Sequence, residues 1–450
     1  MEITKTALNN EIKAIVDAKT TKDRYQLVTY IRCNGKDSKM MQTVSLDVVR
    51  AYANSYADTV VVDLAMGLGD FTYDIYPYKD ALEVTIYFIP AGLSTVGSVL
   101  NRAYKKMQFT GILLGGGSSQ MESKNIVNND RFTMNIAGLK HFKMQLIDPT
   151  TEWVRMEQVG GNFKDCVPAD LIQYLLTQQS KRVKLSANNT IKGVDIVTPD
   201  NKNARATLVI PHGTLLTSVP QMISDKAGGV YSTGFGYYLQ DGTWYLYPLY
   251  NLQRFAKTPK TLTVINVPPD KMPGIEQTYR LAGQQLIVIS TGKSKHLDKS
   301  DGAVANSGNG IRYVEAKNVI EGNVKVEGNK MTMDRRKANS EFKTESQYTG
   351  LNNAPMAQSR VVGNGFKEMA KLAAKQGTLF MAEWENANPD ALYPGMPVKV
   401  IYSDGDKVRT TFGVLHAVHS FYHMLGDGML AQRHGCTSVL GIFVEKAFKV

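Results

Sequence analysis

The chain has 450 residues, 43% of them hydrophobic and 21% charged, which is enough apolar mass for two to four folded units and excludes disordered and collagen-like classes. The 52 Lys and Arg outnumber the 41 Asp and Glu to leave +11. That excess is dispersed, and its densest spot, Asp334-Arg335-Arg336-Lys337, reads as a solvated loop rather than a nucleic-acid reader. Three distant cysteines, Cys33, Cys166 and Cys436, exclude a disulfide framework, while the charged N-terminus and the lack of any apolar run near ~18 residues argue against a signal peptide and membrane insertion.

Leu8, Ile12, Ile15 and Val16 fall at helical spacing, predicting a short N-terminal helix. The pattern then changes to a period of two. It is clearest at residues 82–88, where Leu82, Val84, Ile86 and Phe88 alternate with Glu83, Thr85 and Tyr87, as a half-exposed antiparallel strand requires. Similar signals at 26–31, 44–48, 60–66, 71–76, 108–114 and 142–147 make seven short strands, expected to form a barrel or sandwich within residues 1–150. Pro168 opens a predicted helix over 169–179, and a second is expected over 218–227 with Ser218 as its N-cap and Gly228-Gly229 as its stop.

The strongest local signal is GYYLQDGTWYLYP, in which Asp241-Gly242 suits a two-residue type I′ turn between aromatic strands. Together these elements define an α+β middle unit over 151–250. Residues 261–267 and 284–290 read as strands, and Gly, Asn, Ser and Lys then dominate from Gly292 to Ala357, as in an extended polar arm ordered by docking. A basic helix is predicted over 366–376, ending at Gly377. From Leu379 onward strands and turns alternate. The expected class is thus mainly β with an α+β middle. Two small antiparallel β-barrels occupy 1–150 and a discontinuous 251–292 with 378–450, and an insertion spans 293–377.

Few residues present themselves for chemistry. Gly292-Lys293-Ser294 lacks the phosphate-loop glycine, since position 287 is Ile287, and Gly67-Leu68-Gly69 lacks the third glycine of a dinucleotide fingerprint at Thr72. Gly115-Gly116-Gly117-Ser118-Ser119 reads as a linker. His416, His419, His423 and His434, with Cys436 nearby, contain ligand types for zinc at no standard spacing, and are expected to be incidental to a hairpin. Glu383 and Glu385 share a strand face and read as an exposed edge rather than a catalytic pair. No catalytic, cofactor-binding or metal-binding residues are therefore assigned, and a non-enzymatic role is expected. The competing expectation is a carbohydrate-binding or hydrolytic tail-fibre component acting through Tyr237, Trp244, Tyr245, Tyr247 or Glu383.

Three stretches together resemble the central hub proteins of bacteriophage tails and baseplates, the family that joins tail tube to spike and is shared in outline with contractile injection systems. They are Asn54-Ser55-Tyr56-Ala57-Asp58 with Asp80-Ala81-Leu82-Glu83-Val84; ATLVIPHG at 206–213 with Ala227-Gly228-Gly229-Val230-Tyr231; and LYPGMPVKV at 392–400 with GVLHAVH at 413–419. The resemblance implies a homotrimer with two tube-like barrels per subunit and a pseudo-sixfold ring around a lumen that passes DNA. It also implies binding to tube, spike and baseplate proteins, and residence in the virion after synthesis in the host cytoplasm.

Overall fold

The computed structural model describes residues 5–18, 25–33, 39–79, 82–90, 103, 105–114, 139–180, 191–226, 228–267, 277–290, 294–297, 312–314, 324–327, 330–333, 341–343, 365–404, 407–425 and 433–445. The chain is predominantly β. Six strands form the first module: β1 (Tyr25–Cys33), β2 (Lys39–Arg50), β3 (Thr59–Gly67), β4 (Leu82–Pro90), β5 (Lys105–Leu113) and β6 (Leu139–Ile147). Their antiparallel pairings run β2-β3-β6-β5-β4-β1 and return from β1 to β2, closing a ring. Alternation supplies its interior: Leu27, Ile31, Val62, Leu64, Val84, Ile86 and Met144 are buried while Glu83 stays exposed.

The seventh predicted strand, 71–76, is helical. Residues Leu68–Asp70, Phe71–Ile75 and Tyr76–Tyr78 form a continuous run of helical turns between β3 and β4. Phe71 and Ile75 go inward from one face of this run, whereas Tyr73 remains 80% exposed. A spacing of four satisfies burial there as well as a spacing of two would.

The middle unit contains helices α2 (Pro149–Met156), α3 (Pro168–Ser180) and α4 (Val219–Lys226). An antiparallel ribbon pairs β7 (Gln158–Cys166) with β9 (Arg205–Leu215). A three-stranded sheet joins β8 (Gly193–Ile196), β10 (Phe235–Gln240) and β11 (Thr243–Pro248). Asp148 caps α2 by accepting the Thr150 and Thr151 amides. Ser218 instead belongs to the helical turn before α4 and donates to the Leu215 carbonyl. The hairpin turn is as expected: Asp241 and Gly242 both take positive φ, 50° and 76°, and Gln240 pairs with Thr243. Ile172, Leu176, Ile223, Trp244 and Leu246 form this unit's own core.

The second module comprises β12 (Thr261–Asn266), β13 (Tyr279–Ala282), β14 (Gln285–Ser290) and β15 (Ser294–Leu297). Within the insertion lie two small antiparallel pairs, β16 (Arg312–Val314) with β19 (Glu341–Lys343) and β17 (Val324–Glu327) with β18 (Lys330–Met333), followed by helix α5 (Gly365–Lys375). The module is completed by β20 (Gly377–Trp384), β21 (Pro397–Asp404), β22 (Lys407–Met424) and β23 (His434–Glu445). The expectation of an antiparallel second barrel is corrected at one place, since β12 runs parallel to both β14 and β21. The residues explain why. Thr261 to Ile265 are buried without alternation, as strands covered on both faces require. The cover is helix α1 (Lys5–Val16), whose Ile15 packs with Ile265, Ile287, Ile289 and Ile401. Glu11 of α1 also pairs with Arg280. The helix grouped by sequence with residues 1–150 therefore covers the second module. Likewise β15, placed by sequence in the insertion, adds a strand to the edge of β20.

Side chains bridge the place where β20 comes round beside β14. Ser290 Oγ donates to the Glu383 carbonyl at 3.0 Å, and Thr278 Oγ1 donates to the Glu385 carbonyl at 2.7 Å while accepting Trp384 Nε1–H at 2.9 Å. Replacing buried Thr278 by Val removes the acceptor of the indole N–H and a donor to the Glu385 carbonyl at constant shape. This change is expected to cost about 2–4 kcal/mol, read by urea unfolding; unchanged stability would show that the seam is not held this way.

Both modules share strands and belong to one 14-stranded sheet. The beginning of β2 pairs with β1, but from Ser45 to Arg50 it pairs with β22 over His423 to Val418. The beginning of β22 pairs with β21, and β23 accompanies β22 along most of its length. The apolar interior is continuous across this splice, running from Leu27 and Val62 through Tyr238 and Tyr247 to Val398 and Leu440.

Candidate functional site

The residues singled out for chemistry are committed to structure. His416 is buried with Nε2 at 2.8 Å from the Leu249 carbonyl and its ring stacked on Phe443. His419 is exposed and pairs with Asp47 at 2.6 Å, and His423 stacks on Phe421. His434 and Cys436 are buried, the latter thiol pushed up to about 12 by burial. Among the described residues no group of three or more His, Cys, Asp or Glu could hold a metal. Glu383 and Glu385 contribute backbone carbonyls to the β14–β20 seam.

The hairpin tyrosines are not an open platform. Tyr237 donates to the Thr217 carbonyl, Tyr247 to the Tyr52 carbonyl, and Trp244 is fully buried. Tyr245 leans on Tyr393 at 6.2 Å. Gly67 opens the helical run, and Ser294 begins β15. Lys293, the 115–119 glycine stretch and the basic spot at 334–337 lie outside the described residues.

The structure brings together a set of residues that the sequence did not mark: a polar node where the first module, the middle unit and the second module meet. Arg50, at the end of β2, is 4% exposed. Its Nε donates to Asp58 Oδ2 at 3.1 Å, and its Nη1 reaches the Pro389 carbonyl at 3.5 Å. The other oxygen of Asp58 accepts the Tyr238 hydroxyl at 2.9 Å. Tyr52 donates to Gln240 Oε1 at 3.0 Å, and Gln240 Nε2 donates to the Leu392 carbonyl at 2.9 Å. Rings of Tyr52 and Tyr238 meet edge to face at 4.8 Å. Burial opposes the Arg50 charge, but the Asp58 carboxylate, with Asp241 further off, more than offsets it and holds the guanidinium well above its ordinary value. Burial raises the Tyr52 and Tyr238 hydroxyls, so both remain protonated donors. The sequence signal for this node is slight: an arginine ending an apolar strand, eight residues before an aspartate.

No family model matches the chain, and no curated protein matches it. Solved structures similar to it include a tail protein from Neisseria meningitidis MC58, at 12% identity and a TM-score of 0.46, covering 94% of this chain and 97% of that one. The 43 kDa tail protein of prophage MuSo2 from Shewanella oneidensis is similar at 9% identity and a TM-score of 0.46, covering 93% and 96%. An E. coli component of the type VI secretion system, described as structurally similar to the T4 bacteriophage tail proteins gp27 and gp5, is similar at 6% identity and a TM-score of 0.40, covering 91% and 76%.

A buried charge left without its partner is strongly destabilising. Arg50→Met is expected to cost about 3–5 kcal/mol in chemical denaturation. Adding Asp58→Asn should recover part of that loss, because the neutral amide oxygen still accepts from Tyr238. A single variant no less stable than wild type would show that the node does not hold the joint.

Proposed function

We propose that this protein is a structural hub of a phage-type tail or baseplate, a rigid connector between tube and spike that works by binding rather than by catalysis. The observation that carries this reading is the splice: β2 and β22 each pair within both modules, so two β units present their surfaces at one fixed separation and angle. A connector between stacked rings needs that rigidity. The histidines and tyrosines with catalytic or sugar-binding potential are instead spent on packing and on backbone hydrogen bonds.

In this reading three copies assemble so that six β modules surround a lumen that passes DNA, and the insertion fastens a neighbouring baseplate protein. Among the described residues β13 and β15 end the strand order of the sheet, and terminal strands can template further pairing, which fits a subunit that works inside an assembly. Among the described residues no helix is long and apolar enough to cross a membrane. Mass measurement of the purified chain should give roughly three times 49.8 kDa, and co-incubation with tube or spike subunits encoded beside it should yield a larger complex. A stable monomer that binds neither would overturn the proposal.

A further inference from the structure

We propose that His434 is a proton-sensitive wedge that holds open the fork where β1 leaves β2 and β22 takes its place. The β1–β2 ladder runs from Ile31 opposite Lys39 to Val28 opposite Gln42, and there it stops. One further rung would set Leu27 against Thr43. Two residues on, Ser45 of β2 already pairs with His423 of β22. Between these ladders a backbone N–H and a carbonyl would be stranded inside the protein, at a cost comparable to a lost hydrogen bond each.

The imidazole of His434, 0% exposed, fills the missing rung. Leu27 N–H points to its Nδ1 at 3.4 Å, and its Nε2 lies 2.9 Å from the Thr43 carbonyl. A carbonyl can only accept and a backbone amide can only donate, so the ring is neutral with its proton on Nε2. One side chain thereby mimics a cross-strand hydrogen-bond pair and ends the ladder at a defined residue, which is what allows β2 to change partners.

The same arrangement makes the fork sensitive to acid. A second proton would sit on Nδ1 and take away the acceptor of the Leu27 N–H, although the Tyr25 carbonyl beside the ring favours the charged form. Among the described residues, the titratable groups beside the ring are Tyr25 of β1 and His423 of β22, with Tyr422 and Cys436 the register pair two residues along; Gln42, Thr43 and Val44 of β2 carry no ionisable group. His423 bears the same sign of charge when protonated. Arg50 and Asp390, of opposite sign, act on Tyr422 and Cys436 one layer further away. Burial is the largest influence and holds the His434 imidazolium below its ordinary value, against the smaller opposing pull of the Thr43 and Tyr25 carbonyls. A depressed folded value means that the unfolded chain binds the proton more readily. The fork is therefore intact above about pH 6.5 and weakens progressively as the pH falls below that value.

Amide hydrogen exchange on the full chain, corrected for intrinsic rates and compared at about pH 7.5 and about pH 5.5, tests this. In the wild type, protection at Leu27 and in peptides over 39–46 should fall about tenfold or more on acidification, while peptides of the middle-unit hairpin, 235–248, hold theirs. His434→Gln, whose amide can donate and accept without titrating, should abolish the acid response. Acid loss of the same size in the glutamine variant would overturn the proposal. So would wild-type protection that is independent of pH, or a loss spread evenly over the chain, and these two readouts stand even if the variant fails to fold.

Discussion

A guanidinium removed from water must sit beside its carboxylate, and in this protein the buried pair is fully hydrogen-bonded only when three parts of the fold are in place together. Arg50 and Asp58 come from the first module, but Tyr238 and Gln240 of the middle unit and the Pro389 and Leu392 carbonyls of the second module complete their surroundings. Shifting any one part by a few ångströms would leave a buried donor or acceptor unpaired. The node therefore acts less as a source of net stability than as a specification of geometry.

Around that node the strands do the rest. A closed β ring has no edge at which to join another sheet, yet β2 joins one by giving up its rungs with β1 halfway along and taking new ones with β22. The exchange carries backbone hydrogen bonding and apolar interior across the boundary without a linker. Linked domains generally move relative to one another unless a large apolar interface forbids it, and here the interface is the sheet itself. The proposed hub role rests on this rigidity, since the two halves of the surface cannot be adjusted separately.

Much of the β content was legible because one face of each strand is buried and the other is wet, and that period of two is written at Leu82 to Phe88 and in most neighbouring strands. The hairpin at Asp241-Gly242 was legible for a different reason, since two positive φ angles in succession restrict the residue choice. Residues 71–76 misled because Phe71 and Ile75 are compatible with either period. The destination of α1 was hidden, although the unbroken apolar run at 261–265 carries the hint that this strand needs cover on both faces. Nothing local marks Arg50, because an arginine after a strand reads as solvated until the chain is folded around it. The histidine cluster was visible but read as incidental to a hairpin, and only the interrupted ladder reveals what His434 does.

If the splice and the node make one mechanical body, the two β modules and the middle unit must melt together. Differential scanning calorimetry of the purified chain is the direct measurement. The account predicts a single endotherm whose van 't Hoff and calorimetric enthalpies are roughly equal. Two resolved transitions, with one module retaining its exchange protection after the other has unfolded, would contradict it.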